Sequence, residues 1–325
     1  MAKTRQHGFV IVVVLCMIIC LTALLLAFNN RARVNLHTVD TLRKSAQALN
    51  CARSGLNIAL AVIRDSDKGP ADESMLRLRA GEESIAVGDG ECRITATEEN
   101  GKLNINLLKD EDGKLNRMRI EQLLRLIDLL NRQSPSNPHI GYGLVPAIVD
   151  WADSDDQVTC LPFVKRENMG AESDYYRSLT PTYSCKNAPL ETVEELLLLK
   201  GVTPEILDRI GEYVTVSGDG KVNINYAPKP VIESLSDKID PVLTQMIIDR
   251  RSITPFETMA ELRDVPGMTD NIYQVLTNTV TVEPSERFYT VISQGNTGGL
   301  SRTVVATLKR NMTTKKVDIV LYREL

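Results

Sequence analysis

Seven carboxylates crowd one short stretch of this sequence. Between Asp150 and Asp174 stand Asp150, Asp153, Asp155, Asp156, Glu167, Glu172 and Asp174 against Lys165 and Arg166, a net charge of −5 over 25 residues. An Asp-x-Asp-Asp loop following a helical segment suits oxygen ligation of a hard cation, because like charges this close repel unless something positive sits among them. The pattern predicts calcium rather than magnesium, since a flexible loop can supply six to eight oxygens at about 2.3–2.6 Å. Asp153, Asp155, Asp156, Glu172 and Asp174 are the candidate ligands, with Gln157 and Thr159 as further carbonyl or side-chain donors and Asp150 retained on its helix. The Gly and the twelfth-position Glu of an EF-hand are missing. The same carboxylates read without a cation are a solvated acidic loop.

Other chemistry is thin. No G-x-S-x-G, H-E-x-x-H or P-loop occurs. Of three histidines, His7 and His37 fall in the leader and the anchor helix, which leaves His139 for any soluble site. An Asp pair could serve a hydrolase as acid and base, although Trp151 is the single Trp and no sugar-stacking set accompanies it. A net charge of −4 and a pI near 5.6 argue against a generic polyanion binder.

The elements that position the acidic loop begin with the N-terminus. Phe9 to Phe28 are twenty uncharged residues, about 30 Å of helix, which matches the bilayer hydrocarbon. Asn29, Asn30 and Arg31 follow with no A-x-A site, so the segment reads as a retained anchor rather than a cleaved signal. Basic residues flank it on both sides (Lys3, Arg5, Arg31, Arg33) and give little orientation signal. Beyond it Val34, Val39, Leu42, Ala46, Leu49, Leu56, Leu60 and Ile63 recur mostly at helical spacing, which predicts one helix of about 55 residues stopping at Gly69-Pro70.

At 325 residues the chain has room for about two domains. Ser84–Val87, Glu91–Thr97 and 103–106 read as strands, as do Phe288–Gln294, Thr303–Lys309 and Lys316–Tyr322 near the C-terminus. The residues between, 109–282, read as mainly helical. Two internal repeats stand out in the chain. Residues 189–206 match 255–272 at a constant offset of 66, and Gly101-Lys-Leu-Asn-Ile-Asn recurs as Gly220-Lys-Val-Asn-Ile-Asn. The 66-residue repeat resembles a helix-hairpin-helix. Each copy carries a net charge of −3, so phosphates would be repelled and the repeats read as packing modules, with no nucleic-acid partner expected.

The leader MAKTRQHG before FVIVVV resembles a prepilin-type leader, which implies cleavage between Gly8 and Phe9 by a prepilin peptidase and methylation of the new N-terminus. Most such proteins carry Glu at the fifth mature position; here that position is Val13. Asp150-Trp151-Ala152-Asp153-Ser154-Asp155, Gly170-Ala171-Glu172-Ser173-Asp174-Tyr175-Tyr176, Lys186-Asn187-Ala188-Pro189-Leu190 and Val193-Glu194-Glu195-Leu196-Leu197 resemble the minor pseudopilin K family of type II secretion systems. That family also lacks the fifth-position Glu.

The resemblance implies an α+β pilin-like fold with a large all-α domain inserted. The divisions are a leader over 1–8, a transmembrane segment over 9–28, a pilin-like domain over 29–108 plus 283–325, and a helical insertion over 109–282. It implies a calcium-binding, non-enzymatic subunit at the tip of a periplasmic pseudopilus. Its implied partners are minor pseudopilins I and J, other pseudopilins and inner-membrane secretion components, with the chain held in the inner membrane of a Gram-negative bacterium. The alternatives are a type IV pilus-related DNA-uptake or minor pilin subunit and a membrane-anchored periplasmic hydrolase. In the oxidising periplasm four of the six cysteines can pair in three ways. Cys160–Cys185 is the favoured pairing because it closes a short loop around the acidic cluster, and Cys51–Cys92 is the companion; Cys16 and Cys20 stay reduced in the bilayer.

Overall fold

The computed structural model describes residues 6–66, 72–81, 84–110 and 112–325, with side chains from Phe9 onward. Helix α1 (Gln6–Asp65) is a single 60-residue helix. Met1–Arg5 of the expected leader and the expected Gly69-Pro70 stop lie outside the described residues. Helix α2 (Glu73–Ala80) follows, capped by Asp72, whose side chain accepts from the Ser74 and Met75 amides. Strands β1 (Ser84–Val87) and β2 (Gly90–Glu98) form the expected hairpin.

The chain then leaves the sheet. The excursion holds β3 (Leu103–Asn104), α3 (Arg117–Gln133), α4 (Leu144–Ala152), α5 (Ser173–Arg177), α6 (Pro204–Ile210), β4 (Val214–Thr215), β5 (Val222–Asn223), α7 (Lys229–Ser234), α8 (Pro241–Ile253), α9 (Asp270–Thr279) and β6 (Val280–Thr281). It returns as β7 (Glu286–Thr297), β8 (Leu300–Asn311) and β9 (Val317–Glu324), which complete an antiparallel sheet of order β1-β2-β7-β8-β9.

The C-terminal half of α1 lies on this sheet, and the expected seam is met only from Leu49 onward, at Leu49, Leu56, Leu60 and Ile63. Val34, Val39 and Leu42 are exposed, whereas the buried face is Ala48, Cys51, Ala52, Leu56, Ala59 and Ile63. Small residues win because helix and sheet come very close: a Cβ on Gly295 of β7 would stand 2.0 Å from the Ala48 carbonyl oxygen and 2.5 Å from the Ala52 amide. Opposite lie Ile94, Ala96, Val291, Val304, Ala306 and Leu308. From Phe9 to Leu42 most large apolar residues of α1 are exposed, Val13 at 38% and Phe28 at 76%.

The helical insertion begins earlier than position 109. Leu103, Ile105 and Leu108 belong to its hydrophobic core and not to the core beneath α1. The junction is stitched by Asn100, whose Oδ1 accepts from the Phe288 amide (2.7 Å) and whose Nδ2 donates to the Glu286 carbonyl (3.0 Å). Beside it Glu98 is buried, accepts from Asn223 Nδ2 (3.1 Å), and is pushed up to about 7 by burial, against the pull of Arg287 and Arg79.

Within the insertion the two sequence repeats are halves of one duplicated unit. In the first copy Asn106 Nδ2 donates to the Leu190 and Val216 carbonyls (2.8 and 3.1 Å) and its Oδ1 accepts from the Leu190 amide (2.9 Å). In the second, Asn225 makes the same three bonds with Phe256 and Val282 (2.9, 3.2 and 2.8 Å). β3 pairs with β4 as β5 pairs with β6, both parallel.

Each hairpin repeat opens with a capping box, Thr192–Glu195 and Thr258–Glu261. Its first helix is a tight 3₁₀ turn, Val193–Leu198 or Met259–Asp264, and the second is α6 or α9. Gly201 and Gly267 take φ of 80° and 91°, the left-handed backbone that the intervening turn requires. Thr203 and Thr269 then cap the second helices.

Gly295→Val should destabilise the chain by at least ~3 kcal/mol, because the obstruction is helix backbone that cannot rotate away. Thermal unfolding measures it; a variant as stable as the wild type would contradict the close packing of α1 on β7.

Candidate functional site: an acidic cluster in the helical insertion

The acidic loop is an extra segment in the first copy of the duplicated unit. Asn106 and Pro189 enclose 82 residues, where Asn225 and Pro255 enclose 29. Helix α4 carries Asp150, fully buried, on its last turn and ends at Asp153, which adopts an extended backbone. The chain runs outward and doubles back. Thr159 donates its amide to Asp150 Oδ1 (2.8 Å), Gly170 donates to the Thr159 carbonyl (3.0 Å), and Leu161 donates to the Asn168 carbonyl (2.8 Å). Gly170 must be glycine here, since a Cβ would lie 2.1 Å from Asp150 Oδ2 and 2.6 Å from the Pro146 carbonyl oxygen. This return delivers Glu172, at the start of α5, under the end of α4.

Asp153, Asp155 and Glu172 thereby converge, with one oxygen of each within 4.8 Å of the others. Asp155 accepts the Gln157 amide on Oδ1 (2.8 Å), which folds the loop back on itself. Glu172 is 3% exposed and neither of its oxygens has a protein donor; Asp153 Oδ1 and Asp150 Oδ2 are likewise buried without one. Burial, then the charges of Asp150, Asp153, Asp156 and Asp155, push the Glu172 carboxyl up to about 7. Burial also raises Asp150, against the Thr159 hydrogen bond. Buried carboxylate oxygens without donors are costly, and an oxygen-seeking divalent cation satisfies them directly. The donor set therefore fits a hard cation.

Not every expected ligand joins the cluster. Asp156 and Gln157 are exposed, and Asp174 points outward beside Arg177 (3.7 Å). Thr159 serves through its amide, which braces Asp150. The expected Cys160–Cys185 bridge is absent, and both are free thiols. Cys160 faces out, opposite Met169, while Cys185 is buried, donates to the Asp150 carbonyl (3.3 Å), and is pushed up to about 12 by burial. The loop is closed by backbone hydrogen bonds instead. Cys51 and Cys92 are also free thiols, buried in the same core beneath α1.

Two further residues near the cluster stand outside the expected ligand set. Lys109 Nζ donates to Asp153 Oδ2 at 2.5 Å. Asn187, with φ of 51°, donates from Nδ2 to the Asp155 carbonyl (3.3 Å), and its buried Oδ1 has no partner. Trp151 packs edge-on against Tyr176 and Tyr183 as core, at centroid distances of 5.2 and 6.3 Å.

The fold is a long N-terminal helix on an antiparallel sheet that carries an inserted helical region. Models of type II secretion system protein K match residues 101–219 and 222–283, more than half of the chain, with a boundary that falls between the two copies of the duplicated unit. The chain belongs to the type II secretion system protein K family, whose members are structural rather than enzymatic.

It is 24% identical to type II secretion system protein K of Pseudomonas aeruginosa over 95% of this chain and 90% of that one. It is 26% identical to the protein of the same name from Klebsiella pneumoniae, over 89% and 88%. A crystal structure of the GspK-GspI-GspJ complex from the enterotoxigenic Escherichia coli type 2 secretion system contains a chain of similar fold. The TM-score is 0.67 at 15% identity, covering 89% of this chain and 99% of that one. Carboxyl groups raised by burial are also what a hydrolase would show, but family membership removes that reading.

Linkage gives a sign for Glu172. Its carboxyl rises from 4.5 to about 7, so between those values the native chain holds a proton that the unfolded chain has released. In chelator this group's contribution to stability falls as pH rises through that window and is flat above it. Glu172→Gln should therefore be favoured over wild type increasingly toward neutral pH. Urea unfolding of residues 29–325 measures the difference, and a difference independent of pH would contradict the burial and crowding of this carboxyl.

Proposed function

We propose that this chain is a minor pseudopilin that caps the end of a periplasmic pseudopilus and assembles there with minor pseudopilins I and J. The observation that carries the reading is the placement of the helical bulk. The sheet is interrupted between β2 and β7 by an excursion that starts at Glu99 and returns at Glu286. Its size suits a subunit with nothing stacked above it. Below, α1 offers a bare apolar surface from Phe9 past the bilayer to Val34, Leu36, Val39 and Leu42, which neighbouring helices would cover.

The proposed anchor is the 9–28 segment, uncharged and long enough to span the inner membrane. In this reading a prepilin peptidase cuts between Gly8 and Phe9. Val13 supplies no carboxylate for the amine of a subunit above, which agrees with an uppermost position; an unpaired buried charge there would be costly. Calcium is the cation proposed for Asp153, Asp155 and Glu172, with Asn187 as a further oxygen donor from this chain. Bound calcium would supply a divalent charge that lets these carboxylates stay ionised and hold α4, the loop and α5 together.

Immunogold labelling of assembled filaments tests the position. Label confined to one end, on a mature chain whose mass fits a methylated Phe9 start, is the expected result. Label spaced along the shaft, or a chain that keeps Met1, would overturn it.

A further inference from the structure

Lys109 is the residue at the acidic cluster that the cation reading leaves without a role. It stands 44 positions before Asp153 in sequence, on a backbone fixed by the bridge to Leu115 and by the Asn116 amide on the Leu108 carbonyl (2.8 Å). Its ammonium contacts Asp153 Oδ2 at 2.5 Å, with the lysine side chain 26% exposed and the aspartate 9%. The other oxygen of the same carboxylate, Oδ1, has no protein donor. Asp153 is thus held on one oxygen by a fixed positive charge, while its second is free to join Asp155 and the buried Glu172.

We infer that Lys109 is a built-in counter-ion that competes with the divalent cation and sets how weakly the cluster binds it. The inference rests on the calcium reading given above. A cation at ligand distance from Asp153 Oδ1 would sit about 5 Å from the ammonium, close enough for repulsion that solvent screens only in part. Without the cation, the same ammonium offsets part of the repulsion among three clustered acids. One side chain therefore stabilises the metal-free chain and penalises the loaded one.

The ammonium also has somewhere to go. It lines an open cleft of about 500 Å³ with Asp110, Asp155 and Asn187. The neighbouring Asp110 carboxylate, held by Asn116 Nδ2 (2.6 Å), could receive it when a cation takes Asp153. Such an arrangement makes occupancy follow the calcium concentration of the compartment rather than saturating at trace levels.

Calorimetric titration of calcium into the full chain in detergent, after chelation, tests this. Lys109→Met keeps the aliphatic stem and removes the charge; it should bind calcium about tenfold more tightly, the order expected for one screened charge at this range. In chelator it should melt below wild type. Lys109→Arg keeps the charge and should stay within about threefold of the wild-type affinity. Unchanged or weaker binding by Lys109→Met, in a variant whose melting curve shows it folded, would overturn the inference and make Lys109 a support for Asp153. Absence of binding by wild type and variant alike would overturn the calcium reading and this inference with it.

Discussion

Glu172 is buried with both carboxylate oxygens lacking a protein donor, beside Asp153 and Asp155. A fold can keep such a group only by protonating it or by placing positive charge against it. Much of the first half of the insertion serves that constraint. Helix α4 fixes Asp150 and Asp153, the Thr159 and Gly170 amides turn the loop back, and the Asn106 clamp on Leu190 closes the base of the whole segment. The second half, built on the same clamp at Asn225, has no comparable load and makes its return in far fewer residues.

The duplication explains how a flexible acidic loop can be presented by a rigid body. Each asparagine bonds two backbone segments distant in sequence, so each hairpin repeat is pinned at both ends. An extra segment can be carried between the pinned points without disturbing the unit around it. The insertion as a whole is tied to the sheet at its exit and return by Asn100, so the loop's geometry is referred back, through few joints, to the sheet that α1 supports.

Much of this was legible in the sequence, and what was not has identifiable causes. The long helix, the hairpins and the offset of 66 are local or periodic signals, and a chain displays those directly. The Asp-x-Asp spacing and Gly170-Ala171-Glu172 pointed to the residues that converge. Apolar bulk marks the buried face of α1 at Leu56 and Ile63 but not at Ala48 and Ala52, where the close approach of the Cβ-free Gly295 favours small residues. That the two repeats form one unit depends on asparagine side chains reaching backbone 84 and 110 residues away. Lys109 was invisible for the same reason. The cysteine pairing assumed that the thiols closing the shortest loop would face each other, yet one points to solvent and the other lies under α4.

The central claim is that residues 153–172 are organised by a cation, and hydrogen exchange reads it most directly. Amide exchange of the full chain in detergent should be compared in chelator and in millimolar calcium, peptide by peptide. The account predicts that calcium slows exchange between Asp153 and Glu172 and at the start of α5, while β7 and β8 are unaffected. Equal exchange over 153–172 in the two conditions would contradict it.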